Sequence, residues 1–199
     1  MCPLSKGALM NIRNVYIILG LSAILLWAAP AWAENFNIDP QNSVVTFKMD
    51  NLEGYTTGAF GLSNGTVELS EDRSKLTALS FDVDVASVNT ESALRDGNLR
   101  GPIFFDVAKF PTAKFVATTI DNGKISGDLT LKSVTKPVSL NYTIKDAAAA
   151  FGKTMVTLKI QGTIKRSDFG ITFNRTLEKG TLLLGDAVEV AGQLMGTLK

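Results

Sequence analysis

The chain has 199 residues, 20 basic and 19 acidic side chains, a formal charge of +1, a single Cys and no His. A near-neutral chain with no basic stripe is not built to hold nucleic acid. Without His it lacks both the usual general acid/base at neutral pH and the imidazole metal ligand.

Residues 1–33 carry Lys6 and Arg13, an apolar run from Val15 to Leu26, and the ending Ala31-Trp32-Ala33. This is the pattern of a secretory signal peptide cut between Ala33 and Glu34. Met10 begins a more ordinary signal than Met1, and Pro30 disfavours the alternative of an uncleaved anchor. Cleavage removes Lys6 and Arg13, taking the charge from +1 to −1, and also removes Cys2, Trp27 and Trp32. The expected mature chain, 34–199, is one domain by length, periplasmic or secreted, with no thiol nucleophile and no disulfide. Its own packing must hold it together.

Period-two alternation then recurs along the chain. "SVVTFKMD" (43–50) sets Val45, Phe47 and Met49 on one face, and "GTVELS" (65–70) repeats the pattern. "ALSFDVDV" (78–85) alternates Leu79, Phe81, Val83 and Val85 with Ser80, Asp82 and Asp84. The segment 88–111 breaks the period: Asn89 or Thr90 as N-cap, then Ala93, Leu94 and Leu99 at helical spacing, predict one or two short inserted helices. Strands resume at "AKFVATTI" (113–120), turn at Asn122-Gly123, and continue through "GDLTLKSVTKPVSLNYTI" (127–144). Asn-Gly is a strong hairpin signal because both central residues need positive φ, and Pro137 belongs near a strand start. The run Ala147–Ala150 reads as a loop. "TMVTLKIQGTIK" (154–165) and "DAVEVAGQLMG" (186–196) complete an all-β pattern of about eight antiparallel strands, a barrel or a sandwich. Periodicity alone leaves open whether the interior is solid or hollow.

The motifs "RDGNLRGPIFFDVAKFP", "GDLTLKSVTKPV" and "RSDFGI", in that order, resemble the YceI family of periplasmic polyisoprenoid-binding proteins, from about Phe36 to Gly192. The resemblance implies an extended lipocalin-like antiparallel β-barrel around an apolar tunnel that holds an isoprenoid chain, a quinone-like lipid or a fatty amide. The chain departs from the family at Asn42, Asp50 and Asn98, where many members carry His, and at Ser133, where Gly is common. Relatives that use those His residues are poor guides to its headgroup.

Candidate tunnel-wall residues are Phe47, Met49, Phe81, Val83, Phe115, Leu129, Leu131, Leu140 and Tyr142. For each, ordinary core packing is the competing reading, because every barrel needs inward apolar side chains. Phe104, Phe105 and Phe110 are candidates for a lid or an end cap, with Tyr55 and Phe60 behind them. Arg95 and Arg100 could hold a phosphate or carbonyl headgroup at the mouth. Alternatively they pair with Asp96 or Asp106 and tie the helix to the barrel, the role clustered opposite charges usually take. Arg166 and Asp168 suggest a latch at a strand bend. "GKT" at 152–154 lacks the first Gly and the helix of a phosphate-binding loop.

The expected function is therefore that of an exported, non-enzymatic lipid-binding protein. It would sequester or carry a polyisoprenoid, isoprenoid quinone or other long-chain fatty amphiphile. No cofactor or metal is implied. The expected partners are the lipid and, transiently, a membrane; a homodimer is compatible with the sequence. The alternatives are a partner-binding or structural module with a filled core, and a lipid-modifying enzyme relying on Ser, Thr, Lys, Asp or Tyr alone.

Overall fold

Alternating side chains can bury one face of a strand only if the strands surround a common interior, and here they do. The computed structural model describes residues 34–150, 153–174 and 183–197; the expected signal peptide lies outside them. The elements are β1 (Glu34–Asn37), β2 (Val44–Asn51), β3 (Gly54–Leu69), β4 (Leu76–Asn89), α1 (Ala93–Arg100), β5 (Thr112–Asp121), β6 (Lys124–Leu131), β7 (Val134–Ala150), β8 (Lys153–Lys165) and β9 (Leu184–Thr197). A short 3-10 turn, Arg166–Phe169, follows β8.

The sheet runs β1-β3-β2-β9-β8-β7-β6-β5-β4, and β4 pairs back to β3. Strands β2 to β9 thus form a closed eight-stranded antiparallel barrel, the fold class that the family resemblance implies and one of the two that the pattern allows. β1 is an addition. It pairs with Thr66–Leu69 of β3, whereas β2 pairs with Gly54–Gly61. The two strands fill successive stretches of the gap between β3 and β9, where Ile38 bridges to Gly196.

Several local expectations are corrected. β3 starts at Gly54 rather than near Gly65. Its first half hides its period because Gly58 sits beneath the Phe47 ring, 2.6 Å from where a Cβ would lie. Between Leu62 and Asn64 its register to β4 also shifts, and a bulge inverts the alternation that identifies a strand. The Ala147–Ala150 run is not a loop; β7 continues through it, with Ala147 opposite Met155 and Ala150 opposite Lys153. The 88–111 insertion holds one α-helix, within the one or two expected, followed by a turn at "IFFD". The N-cap position is Ser92, not Asn89 or Thr90, and its side chain makes no capping hydrogen bond.

Turn chemistry behaves as expected elsewhere. Asn122 and Gly123 take φ of 25° and 84° between β5 and β6. Pro137 is the fourth residue of β7, three before Leu140, where pairing with β8 begins. Only one of its edges is laddered, so its missing N–H leaves no gap.

The interior is not uniform along the barrel axis. At one end, Phe36, Val67, Ile125, Leu158 and Leu194 are fully buried and form a solid core. At the other end, Phe47, Met49, Phe60, Leu129 and Leu131 are only half-buried although they face inward. Leu158 lies in the solid part, so Leu158→Ala should cost about 2–5 kcal/mol. Urea denaturation of the two proteins checks this, with an unchanged m-value if the folded and unfolded states keep their compactness.

Candidate ligand-binding cavity

The half-buried end is hollow. A void of about 150 Å³ lies among Val45, Phe47, Met49, Phe60, Val83 and Leu131, with Phe104, Phe105 and Leu99 across its mouth. A second void, about 80 Å³, lies deeper among Phe81, Phe115, Val138, Leu140 and Ile160. Both touch Val45, Val83, Leu129, Ile164 and Val190, so they follow one another along the axis. An apolar void of about 150 Å³ in a protein interior stays dry and accepts an apolar guest such as benzene.

Layering follows from strand phase. Successive inward residues lie two apart, so each strand contributes one side chain per layer. On β6 these are Leu131, Leu129, Gly127 and Ile125, from mouth to solid end; on β9 they are Val188, Val190, Gly192 and Leu194. Aromatic rings frame the mouth. Phe60 lies 5.4 Å from Phe47 and meets Phe105 edge-on at 5.5 Å, and Phe104 meets Phe173 at 5.3 Å.

Outside the mouth, a vestibule of about 570 Å³ shares Phe47, Met49, Leu99 and Phe104 with the larger void. Its remaining lining mixes apolar Leu94, Ile103 and Phe173 with polar Thr56, Ser92, Arg95 and Asn98.

Most of the residues chosen from the sequence meet here. Phe47, Met49 and Leu131 line the larger void, Phe81, Phe115 and Leu140 the smaller, and Val83 and Leu129 both. Tyr142 does not join them. It lies at the opposite end beside the β5–β6 turn, its N–H donating to the Gly123 carbonyl at 2.7 Å. Phe104 and Phe105 lie at the mouth, whereas Phe110 lines neither void nor the vestibule. Of the secondary candidates, Phe60 faces the void and Tyr55 is 64% exposed under the Lys48 ammonium. Val45, Val85, Ile160, Ile164, Val188 and Val190 were not singled out, yet each lines a void. The available signal was their phase: Val45 and Val85 alternate with chosen residues on β2 and β4, and the other four lie on the apolar faces of β8 and β9, from which no wall residue is chosen.

The arginines do not pair with the carboxylates beside them. β4 carries four residues, 85–88, between its pairings of Asp84 to Gly61 and of Asn89 to Ala59. Such a bulge strips backbone groups of ladder partners. Arg100 replaces those partners: its Nε donates to the Ala86 carbonyl at 2.7 Å and its Nη2 to the Val88 carbonyl at 2.6 Å. Ser87 Oγ meanwhile accepts from the Gly61 N–H at 2.7 Å. Arg95 donates to Thr90 Oγ1 and to the Thr90 carbonyl. Asp96 accepts from both the Thr90 N–H and its hydroxyl, and Asp106 pairs with Lys109 at 3.0 Å. The expected tie between helix and barrel is therefore present, made through backbone and Thr90 instead of Arg–Asp pairs.

Arg166, buried in the wall of the larger void, donates to the carbonyls of Gly185, Ile171 and Phe173 at 2.7 to 2.8 Å. A buried guanidinium needs such acceptors. The latch expected at this bend is thus Arg166 on carbonyls, while Ser167 binds Asp186 and Asp168 is exposed. Of the departures from the family, Asn98 lines the vestibule and Asn42 donates to Asp39 at the β1–β2 bend. Among the described residues no cluster of Asp, Glu, His or Cys could hold a metal ion.

A closed eight-stranded antiparallel barrel with an apolar cavity at one end is a lipocalin-like architecture. Residues 36–195 match the YceI-like domain family. The chain is 34% identical over 161 residues to protein YceI of Salmonella arizonae, covering 76% of this chain and 84% of that one. The solved YceI protein of Campylobacter jejuni is 29% identical and superposes with a TM-score of 0.60, over 71% of this chain and 84% of its own. Burkholderia cenocepacia BcnA, at 22% identity, shares the fold with a TM-score of 0.65, over 80% of this chain and 99% of its own. A polyisoprenoid-binding domain from Saccharophagus degradans, at 18%, does so with a TM-score of 0.57, over 82% and 98%. The chain belongs to the YceI family.

Two substitutions test how α1 is held. Arg100→Ala removes both donors to the β4 bulge and should cost about 1–3 kcal/mol, with faster amide exchange at Val85–Val88 and little change at the solid end. The Thr90 hydroxyl, then its N–H, and behind them Arg100 and Arg95, hold the Asp96 carboxyl below the ordinary carboxylate range. A lowered folded value means that its contribution is complete above about pH 4, the unfolded value. It is lost as pH falls further, through the folded value. Asp96→Ala should therefore melt below the parent at pH 7, and the gap should narrow under acid; thermal melts across pH 2–7 would show it.

Proposed function

We propose that this protein is an exported, non-enzymatic carrier that shelters the apolar tail of an isoprenoid, quinone-like or other long-chain amphiphile in its barrel. The carrying observation is the pair of apolar voids in line behind an aromatic mouth. Each methylene withdrawn from water contributes about 0.8 kcal/mol, so a tail needs no reaction to prefer the tunnel over an aqueous compartment. Family membership and the likeness to a polyisoprenoid-binding domain support this reading. The sequence of residues 1–33 supports export. In the expected mature chain there is neither His nor Cys to run acid–base or thiol chemistry on the guest.

Transient membrane contact is supported by the apolar surface around the mouth. Leu52, Tyr55, Leu94, Ile103 and Phe173 are all exposed at this end. Leu94 and Ile103, at 80% and 59%, lie on the vestibule rim, where a tail would pass between bilayer and barrel. A homodimer is the competing use of that surface, and sedimentation without lipid distinguishes the two.

Native mass spectrometry of the protein purified from its own compartment without detergent tests the carrier reading. A stoichiometric adduct whose extract contains a prenyl or acyl tail is expected. Delipidation should lower stability by RT ln(1 + [L]/Kd), about 2.7 kcal/mol when free ligand was a hundred times Kd. A clean apo mass, no melting shift and no uptake of added prenols would leave the structural-module reading in its place.

A further inference from the structure

The tunnel has a floor. Phe115 and Phe81 stand opposite each other on β5 and β4, their rings 5.4 Å apart. The Phe115 ring crosses toward β6 because Gly127 has no side chain there; a Cβ on Gly127 would lie 2.6 Å from its Cζ. Leu140 crosses toward β8 in the same way over Gly162, also at 2.6 Å. Beyond this layer Val67, Ile125, Leu158 and Leu194 show no accessible surface at all. A continuing channel wide enough for a chain would leave surface on its walls.

We infer that the barrel engages only the terminal ten or so carbons of its guest, about two isoprene units, with the rest of any longer tail in the vestibule or outside. This inference rests on the proposed carrier function. From Leu131 at the mouth to Gly127 at the floor is four residues of β6, about 13 Å along the strand and about 10 Å along the axis of a tilted barrel. A zigzag hydrocarbon advances about 1.3 Å per carbon, given its ~1.5 Å bonds. The accommodated length is thus about eight carbons, slightly more if the chain starts level with Phe104. The voids agree: about 150 and 80 Å³ fall well short of the roughly 300 Å³ at which drug-sized pockets begin.

A chain-length series reads this directly. Delipidated protein is titrated with prenol, geraniol, farnesol and geranylgeraniol by native mass spectrometry, with decanol, tetradecanol and octadecanol alongside as straight-chain equivalents. While carbons are still being buried, affinity should rise about fourfold per methylene-sized group. It should level off by farnesol, with geranylgeraniol within about threefold of it. Phe115→Leu and Leu140→Ala should move the plateau to longer chains, whereas Leu158→Ala, in the solid end, should not. The wild-type series stands even if those variants fold poorly. Geranylgeraniol at least tenfold tighter than farnesol would overturn the length limit while sustaining the carrier reading. No uptake of any chain would overturn the carrier reading itself.

Discussion

Closure of the sheet between β3 and β4 is the constraint on which the rest depends. An open eight-stranded sheet would expose two edges of unpaired N–H and C=O groups. Here β3 is long enough to meet β2 and β1 along one edge and β4 along the other. The closure is incomplete near the mouth, where residues 85–88 bulge out of the ladder. Side chains complete it: Ser87 takes up the Gly61 N–H, and Arg100 supplies donors for Ala86 and Val88. A single guanidinium thus does locally what a neighbouring strand does elsewhere. It also fixes the helix from which it projects.

The chain beyond that bulge covers the hollow end. β4 rejoins β3 at Asn89, opposite Ala59, and the chain then runs through Thr90 into α1 and back to β5 at Thr112. The insertion brings Leu99, Phe104 and Phe105 over the mouth. At the other end β1 supplies Phe36, and the bridging Ile38 follows it into the interior, where both are almost fully buried. One end gains filling side chains from an added strand; the other gains only a cover. The asymmetry of the cavity therefore comes from topology, since the alternating apolar residues of β4, β6, β8 and β9 run through both ends alike.

That distinction also explains what could be read in advance. The phase of "ALSFDVDV" and "TMVTLKIQGTIK" is a local property, so β4, β8 and their inward residues were legible in the sequence. Phe47, Met49, Leu129 and Leu131 were correctly assigned to one face for the same reason. Whether an inward residue meets a void or a neighbour is not local. Tyr142 and Leu140 share a face of β7, yet Leu140 lies at the tunnel floor and Tyr142 beyond it. The first half of β3 was hidden because Gly58 yields its space to Phe47, a partner on another strand. The acceptors that Arg100 meets are not legible, because nothing in the sequence marks Ala86 and Val88 as carbonyls without ladder partners.

Glycine provides the last link between sequence and cavity depth. Gly127 and Gly162 lie at inward positions of strands that are otherwise apolar on that face. Taken alone, each suggests a gap in the wall and more room for a guest. The structure reverses this, because each gap is occupied by a large side chain from the adjacent strand, Phe115 in one case and Leu140 in the other. Absence of a Cβ lets the neighbouring ring or isobutyl group lie flat across the barrel instead of along it. Two residues without side chains thus narrow the interior where they occur. The depth of the tunnel is set by contacts between adjacent strands, Phe115 leaning diagonally over Gly127 and Leu140 over its ladder partner Gly162, and by neither member alone.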